Sequence, residues 1–147
     1  MAKKRRLEAR FLNEWLMMKF PTALRWKRVR VGPLPDKKLG RLMMITLRWA
    51  DAVVFDGKHV YIIEAKLKDD LGAISQLKNY VKLFPDTPEF QMLRDYPITP
   101  ILLLPYPWPG LVKAAKAEGI QVEIFKPKWL YEEMGWKWEE EKSEAKK

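Results

Sequence analysis

The sequence predicts an α/β fold from three observations: apolar residues at helical spacing near the N-terminus, two β-branched runs joined by Asp56-Gly57, and alternating helix and strand patterns after them. Leu7, Phe11, Leu12, Trp15 and Met18 fall on one side of a helix over residues 5–20 when successive residues are turned by about 100°. Glu8 falls near the middle of that stripe, Glu14 at its edge, and Arg10 and Asn13 on the wet side. A first strand is expected over Arg25 to Val31, with residues 42–48 as the alternative. In the former, Arg28 and Arg30 share a face with Trp26, while Val29 and Val31 take the other.

Asp51–Phe55 and His59–Leu67 form the next pair of strands, since Asp-Gly between apolar runs is a strong hairpin signal. With Asp56 and Gly57 as the two loop residues, Phe55 stands opposite Lys58, Val53 opposite Val60 and Asp51 opposite Ile62. Asp51, Ile62, Glu64 and Lys66 then project from one face, Glu64 diagonal to Asp51. A slip of one residue would part the acids.

A helix follows through Leu71, Ile74, Leu77, Val81 and Phe84, with Asp69 or Asp70 as its N-cap. Gln76 and Tyr80 lie one turn apart beside its apolar stripe. Pro85 to Pro97 is a turn-rich linker, 100–104 a strand, 109–118 a short helix, Ile120–Phe125 a strand and 129–133 a closing helix. A chain of 147 residues suits one domain over 1–135, followed by a charged tail over 136–147. The chain has no Cys, which excludes disulfides and thiolate metal sites. No secretory segment or apolar run of about 20 residues occurs. A soluble cytoplasmic chain with no membrane partner is expected.

The formal net charge of +9 points to a polyanion. Arg5, Arg6, Arg25, Arg28, Arg30 and Arg48 are candidate phosphate contacts, as are Lys37 and Lys38 in a turn-rich loop; solvated surface is their plain alternative. Two neighbouring carboxylates, Asp51 and Glu64, are tolerated in an apolar surrounding if one is protonated or a cation lies between them. Oxygen donors without Cys or His suit Mg²⁺ or Mn²⁺. Lys66 could then stabilise charge developing on an attacked phosphate. Each feature has a simpler reading: Glu64 and Lys66 as a structural ion pair, Glu8 as a first-turn acid complementing the helix dipole, Gln76 and Tyr80 as rim residues, and His59 as hairpin surface. Trp26 and Trp49 flank the site and are otherwise core mass. A glycine-rich phosphate loop is missing, which disfavours an enzyme of small phosphorylated substrates.

Glu8, Asp51, Glu64-Ala65-Lys66 and Gln76-x-x-x-Tyr80 together resemble the PD-(D/E)XK nuclease superfamily, in motif and element order, over roughly residues 5–105. The resemblance implies a restriction-endonuclease-like αβββαβ core, a mixed central sheet flanked by helices. It implies Mg²⁺, with Mn²⁺ as substitute, held by Glu8, Asp51, Glu64 and the Ala65 carbonyl. Asp51, Glu64 and Lys66 would be catalytic in hydrolysing the phosphodiester bonds of DNA. Gln76 and Tyr80 resemble the extra motif of the exonuclease-like and Holliday-junction-resolvase-like branches, which implies that they too belong to the catalytic site, positioning the lysine or the strand. A homodimer and either endonucleolytic or exonucleolytic action are compatible with it. Ala50 departs from the family by replacing the Pro of the motif, and the missing cysteines exclude the iron–sulfur relatives. The alternative function is a non-cleaving nucleic-acid-binding or assembly module on the same fold.

Overall fold

Asp56 sets the hairpin around which the sheet is built. Its Oδ1 accepts hydrogen bonds from the backbone N–H groups of Lys58 (2.8 Å) and His59 (2.7 Å), and the Tyr61 hydroxyl donates to its Oδ2 at 3.2 Å. Such a side chain stands in for a turn of backbone, and Gly57 supplies the positive φ, 97°, that the loop requires. The loop therefore spans residues 56–59, and Phe55 pairs with Val60 instead of Lys58. His59 lies in the turn and does not open the strand.

The expected register is thus corrected by two residues. A slip of one would have turned every side chain to the opposite face; a slip of two keeps the faces and brings the acids closer. Continued one step beyond Ala52 opposite Ile63, the register sets Asp51 directly across from Glu64, not diagonal to it.

The computed structural model describes residues 2–33 and 48–138. Lys37, Lys38, nearly all of the alternative strand over 42–48 and the tail from 139 lie outside the described residues, as does the Arg48 side chain. The elements are α1 (Ala2–Lys19), β1 (Leu24–Val31), β2 (Arg48–Phe55), β3 (Val60–Ala65), α2 (Gly72–Leu83), β4 (Ile98–Leu104), α3 (Pro109–Ala117), β5 (Gln121–Ile124) and α4 (Lys128–Met134). The mixed sheet runs β1-β2-β3-β4-β5, antiparallel through β3 and parallel from β3 to β5. On one face α2 and α3 bury Leu77, Tyr80, Leu111 and Ala115 against Val53, Ile62 and Leu102. On the other, Phe11, Leu12, Trp15 and Leu16 of α1 and Leu130 of α4 cover Ala52, Ile63 and Leu103. Helices on both faces explain why β4 ends in an uninterrupted apolar run, Ile101 to Leu104, all buried. No helix among the described residues is long and apolar enough to cross a membrane.

Three local expectations change. Met18 is 62% exposed and Leu16 is buried in its stead; Phe20 folds back beside the helix end, its ring 5.7 Å from Trp15 and 4.9 Å from Tyr61. The N-cap position of α2 is Leu71, which has no side-chain cap of its own, and Asp70, one residue earlier, accepts from the helix's first N–H, that of Gly72, at 2.9 Å. The Pro85–Pro97 stretch contains 3₁₀ turns at Phe84–Asp86 and Pro88–Leu93 that bury Phe84, Phe90 and Leu93. Between them Thr87, fully buried, accepts from Gly32 N–H at 2.8 Å and donates to the Leu83 carbonyl at 3.2 Å, pinning the end of β1 to α2. Past α4, Trp136 packs on Tyr131 and the Trp138 indole donates to the Lys126 carbonyl at 2.8 Å. The first residues of the expected tail therefore belong to the packed body.

Leu102 is fully buried in the central parallel strand, so Leu102→Ala is expected to cost about 2–5 kcal/mol. Met92→Ala, at a site that is 73% exposed, is expected to cost under about 0.5 kcal/mol. Urea unfolding followed by circular dichroism measures both; equal midpoints would contradict the layering described above.

Candidate active site

Asp51 and Glu64 meet where β2 and β3 lie side by side, their carboxyl groups in hydrogen-bonding contact. Asp51 Oδ2 also accepts from Ala65 N–H at 2.8 Å, which fixes its rotamer. Glu64 is buried and its Oε1 has no hydrogen-bond partner. Burial, and then the charge of Asp51, push the Glu64 carboxyl up to about 8 from an ordinary 4.5. Burial raises Asp51 as well, opposed by the Ala65 N–H. The two acids thus behave as one unit that holds a proton well above the usual carboxylate range.

Cations edge this pair. Lys66 Nζ lies 3.6 Å from Glu64 and 3.7 Å from Asp70, four residues further along in the turn between β3 and α2. Sequence reasoning treated Asp70 only as a cap; its spacing from Lys66 was the available signal. Glu8 reaches the group from α1, its carboxyl raised by burial and then by Asp51, with Lys4, Lys66 and Lys68 opposing. Among the described residues, however, no three acidic or histidine side chains stand close enough to form a metal site by themselves.

A cleft of about 520 Å³ opens beside the pair, lined by Arg5, Glu8, Asn13, Lys27, Arg28 and Asp51, with Ala65 at its base. Asn13 therefore faces the cleft, not the wet side. Arg28 has φ 50°, the only positive φ outside glycine among the described residues. β1 and β2 pair from Leu24 opposite Phe55 to Lys27 opposite Ala52, and again from Val29 opposite Ala50. Pairing lapses between these stretches, where Arg28 would oppose Asp51. The left-handed backbone resets the alternation, so Trp26 and Val29 both pack toward the α2 side. Trp26 lies edge-on to Phe90, 5.1 Å away. The expected face shared by Trp26, Arg28 and Arg30 is corrected accordingly: Arg28 points into the cleft, and its charge helps hold Asp51 ionised. A strained non-glycine residue costs on the order of 1 kcal/mol and tends to mark functional positions.

The other candidate cations are divided. Arg30 forms a two-pronged pair with Glu89 (Nε–Oε2 3.1 Å) and also donates to the Gly32 carbonyl at 2.7 Å. Arg25 donates to the Phe20 carbonyl at 2.7 Å. Both guanidiniums are engaged within the fold, whereas Arg5 lines the cleft and Arg6 is exposed on the same helix. Tyr80 is buried, and its hydroxyl donates to the Trp49 carbonyl at 3.0 Å, two residues before Asp51. Gln76 is half-buried, one turn earlier on α2, and its Oε1 is buried without a hydrogen-bond partner among the described residues.

No protein-family model matches the chain, and no curated protein sequence does. Solved structures that resemble it include two nucleases. One is of an EndoMS–dsDNA complex, 16% identical with a TM-score of 0.49, matching 82% of this chain and 45% of that one. The other is a repair endonuclease from Pyrococcus abyssi, 19% identical with a TM-score of 0.45, matching 80% and 46%. This chain spans less than half the length of either. Likenesses this distant concern the fold, and the chemistry of the cleft rests on its own geometry.

Because the folded state raises the Glu64 pKa above its ordinary value, it binds the proton more tightly than the unfolded chain does. Stability present below pH 4.5 is then lost as pH rises toward about 8. Without divalent cations, Tm is expected to fall by several degrees between pH 5 and pH 8. Glu64→Gln should remove that slope, and a thermal scan in which wild type and variant run parallel would refute it.

Proposed function

We propose that the cleft hydrolyses phosphodiester bonds of DNA with the aid of a divalent cation, as a PD-(D/E)XK-like nuclease. The carrying observation is the Asp51–Glu64 pair, two neighbouring carboxyls of which Asp51 lines a cleft that also presents Arg5, Lys27 and Arg28. A surface that only gripped phosphate would gain nothing from buried acids facing it. Glu64 Oε1, buried without a partner, and the neighbouring Asp51 oxygens suit a hard cation, Mg²⁺ or in its place Mn²⁺. Glu8 and the Ala65 carbonyl would complete the ligand set. Such an ion, when bound, supplies positive charge to the scissile phosphate and its attacking water.

The chain's own residues do the rest. Arg28, Arg5 and Lys27 hold the backbone phosphates, Arg28 nearest the acids because of its left-handed backbone. Lys66, tethered between Glu64 and Asp70, keeps an ammonium beside the pair, where it stabilises the charge that develops on oxygen as the bond breaks. Tyr80 is a positioning residue: by holding the Trp49 carbonyl it fixes the approach of β2 to Asp51. Gln76 would act beside it from the same helix.

A second reading, a binding module that does not cut, is favoured by one observation: among the described residues three acids do not close around a single point. Labelled single-stranded, duplex and branched DNA incubated with Mg²⁺, Mn²⁺ or EDTA separates the two. The nuclease reading expects cutting that EDTA abolishes. It also expects Asp51→Asn and Glu64→Gln to cut at least a hundredfold more slowly while binding DNA as well or better; unchanged turnover in either variant would remove the acids from the mechanism. Arg28→Ala is expected to weaken binding and to lower the salt slope by about one. Arg30→Ala, whose guanidinium is held by Glu89, should change that slope little.

A further inference from the structure

A second cleft, of about 800 Å³, opens just past Leu67, where β3, β4 and β5 end. Ligands of open α/β sheets bind outside the carboxyl ends of parallel strands, and these three strands run parallel. We propose that this cleft receives unpaired bases of a single-stranded nucleic acid, a proposal that rests on the phosphodiesterase reading for its link to the acid pair.

The lining carries both parts of such a site. Tyr106 is 47% exposed, and its ring stands 5.7 Å from Trp108 at 62°, so one aromatic face is open to a partner. The far wall is held rigid: the Tyr131 hydroxyl donates to the Pro105 carbonyl, and its ring meets Trp136 edge-on at 5.3 Å. An exposed ring such as Tyr106 against that wall stacks on any base, because every base has a π-face, but only unpaired bases present that face. Lys68, Lys126 and Lys137 line the same cleft, against the single acid Asp69. The ammonium groups of Lys68 and Lys126 beside aromatic rings suit a phosphate backbone with its bases turned inward. A second copy of this chain, whose net charge is +9, would meet repulsion there.

The cleft also adjoins the acid pair. Lys66, whose Nζ lies 3.6 Å from Glu64, is followed two residues later by Lys68, which lines this cleft. A strand with one phosphate at Asp51 and Glu64 can therefore continue past Lys68, which makes a junction between paired and unpaired DNA the substrate class this surface fits.

The test is fluorescence anisotropy in EDTA, where cutting is suppressed, with a labelled oligodeoxythymidylate of about 12 nucleotides and a hairpin duplex of equal charge. Tyr106→Ala is expected to weaken the single strand about tenfold, the effect of losing one stacked base, and to leave the hairpin within twofold. Lys126→Ala should weaken the single strand and lower its salt slope by about one. Wild type that binds the single strand no better than the hairpin, or Tyr106→Ala that affects neither probe or both equally, would overturn the proposal. So would self-association of wild type, seen by sedimentation, that Tyr106→Ala abolishes, since the cleft would then belong to a second copy. Failure to cut any substrate with Mg²⁺ would sink the reading of the acid pair alone, because the anisotropy result does not depend on cutting.

Discussion

Two carboxyl groups forced together in a buried corner are the constraint around which this molecule is arranged. Asp51 and Glu64 face one another from adjacent strands, and neither can ionise fully without raising the energy of the other. A structure that served stability alone would replace such a pair with apolar side chains, which pack at lower cost. Here the surroundings retain it: Ala65 N–H holds one carboxylate, Lys66 stands 3.6 Å from the other, and Arg28 adopts a strained backbone within reach of the first.

The support behind the acids is built from parts distant in sequence. Tyr80 on α2 braces β2 through the Trp49 carbonyl, and Thr87 secures the end of β1. Arg30 and Glu89 join that same strand end to the 3₁₀ segment. These contacts explain why a stretch rich in proline is packed and not a mobile linker: it closes the sheet's first edge against the α2 layer. On the opposite face, Glu14 accepts from the Trp129 indole at 2.7 Å while Arg10 lies over that ring, joining α1 to α4. The helix that carries Glu8 is thereby held at its middle.

The basic residues sort by whether the fold uses them. Arg25 and Arg30 satisfy carbonyls and a carboxylate of the chain itself, so the positive field available to a ligand is narrower than the net charge suggests. It concentrates at the first turns of α1, at Lys27 and Arg28, and at Lys68 and Lys126 beside the aromatic cleft.

The sequence by itself determined the fold class, the order of the elements and the placing of Asp51 beside Glu64 with Lys66 two residues on, because side-chain periodicity is local and survives an error of two residues in register. It also carried the helix with Gln76 and Tyr80 directly after the Glu-x-Lys strand. Only the tertiary structure decided that the turn at Asp56 has four residues, since that depended on one carboxylate capturing two amides and a hydroxyl. The same holds for Arg28, whose left-handed backbone breaks the alternation that predicted its face, and for Asp70, which pairs with Lys66 through one oxygen while the other accepts from the first N–H of α2. Nor could spacing reveal the aromatic cleft. Its walls come from the ends of three strands and from the last described helix, segments far apart in the chain that meet only when the sheet is assembled.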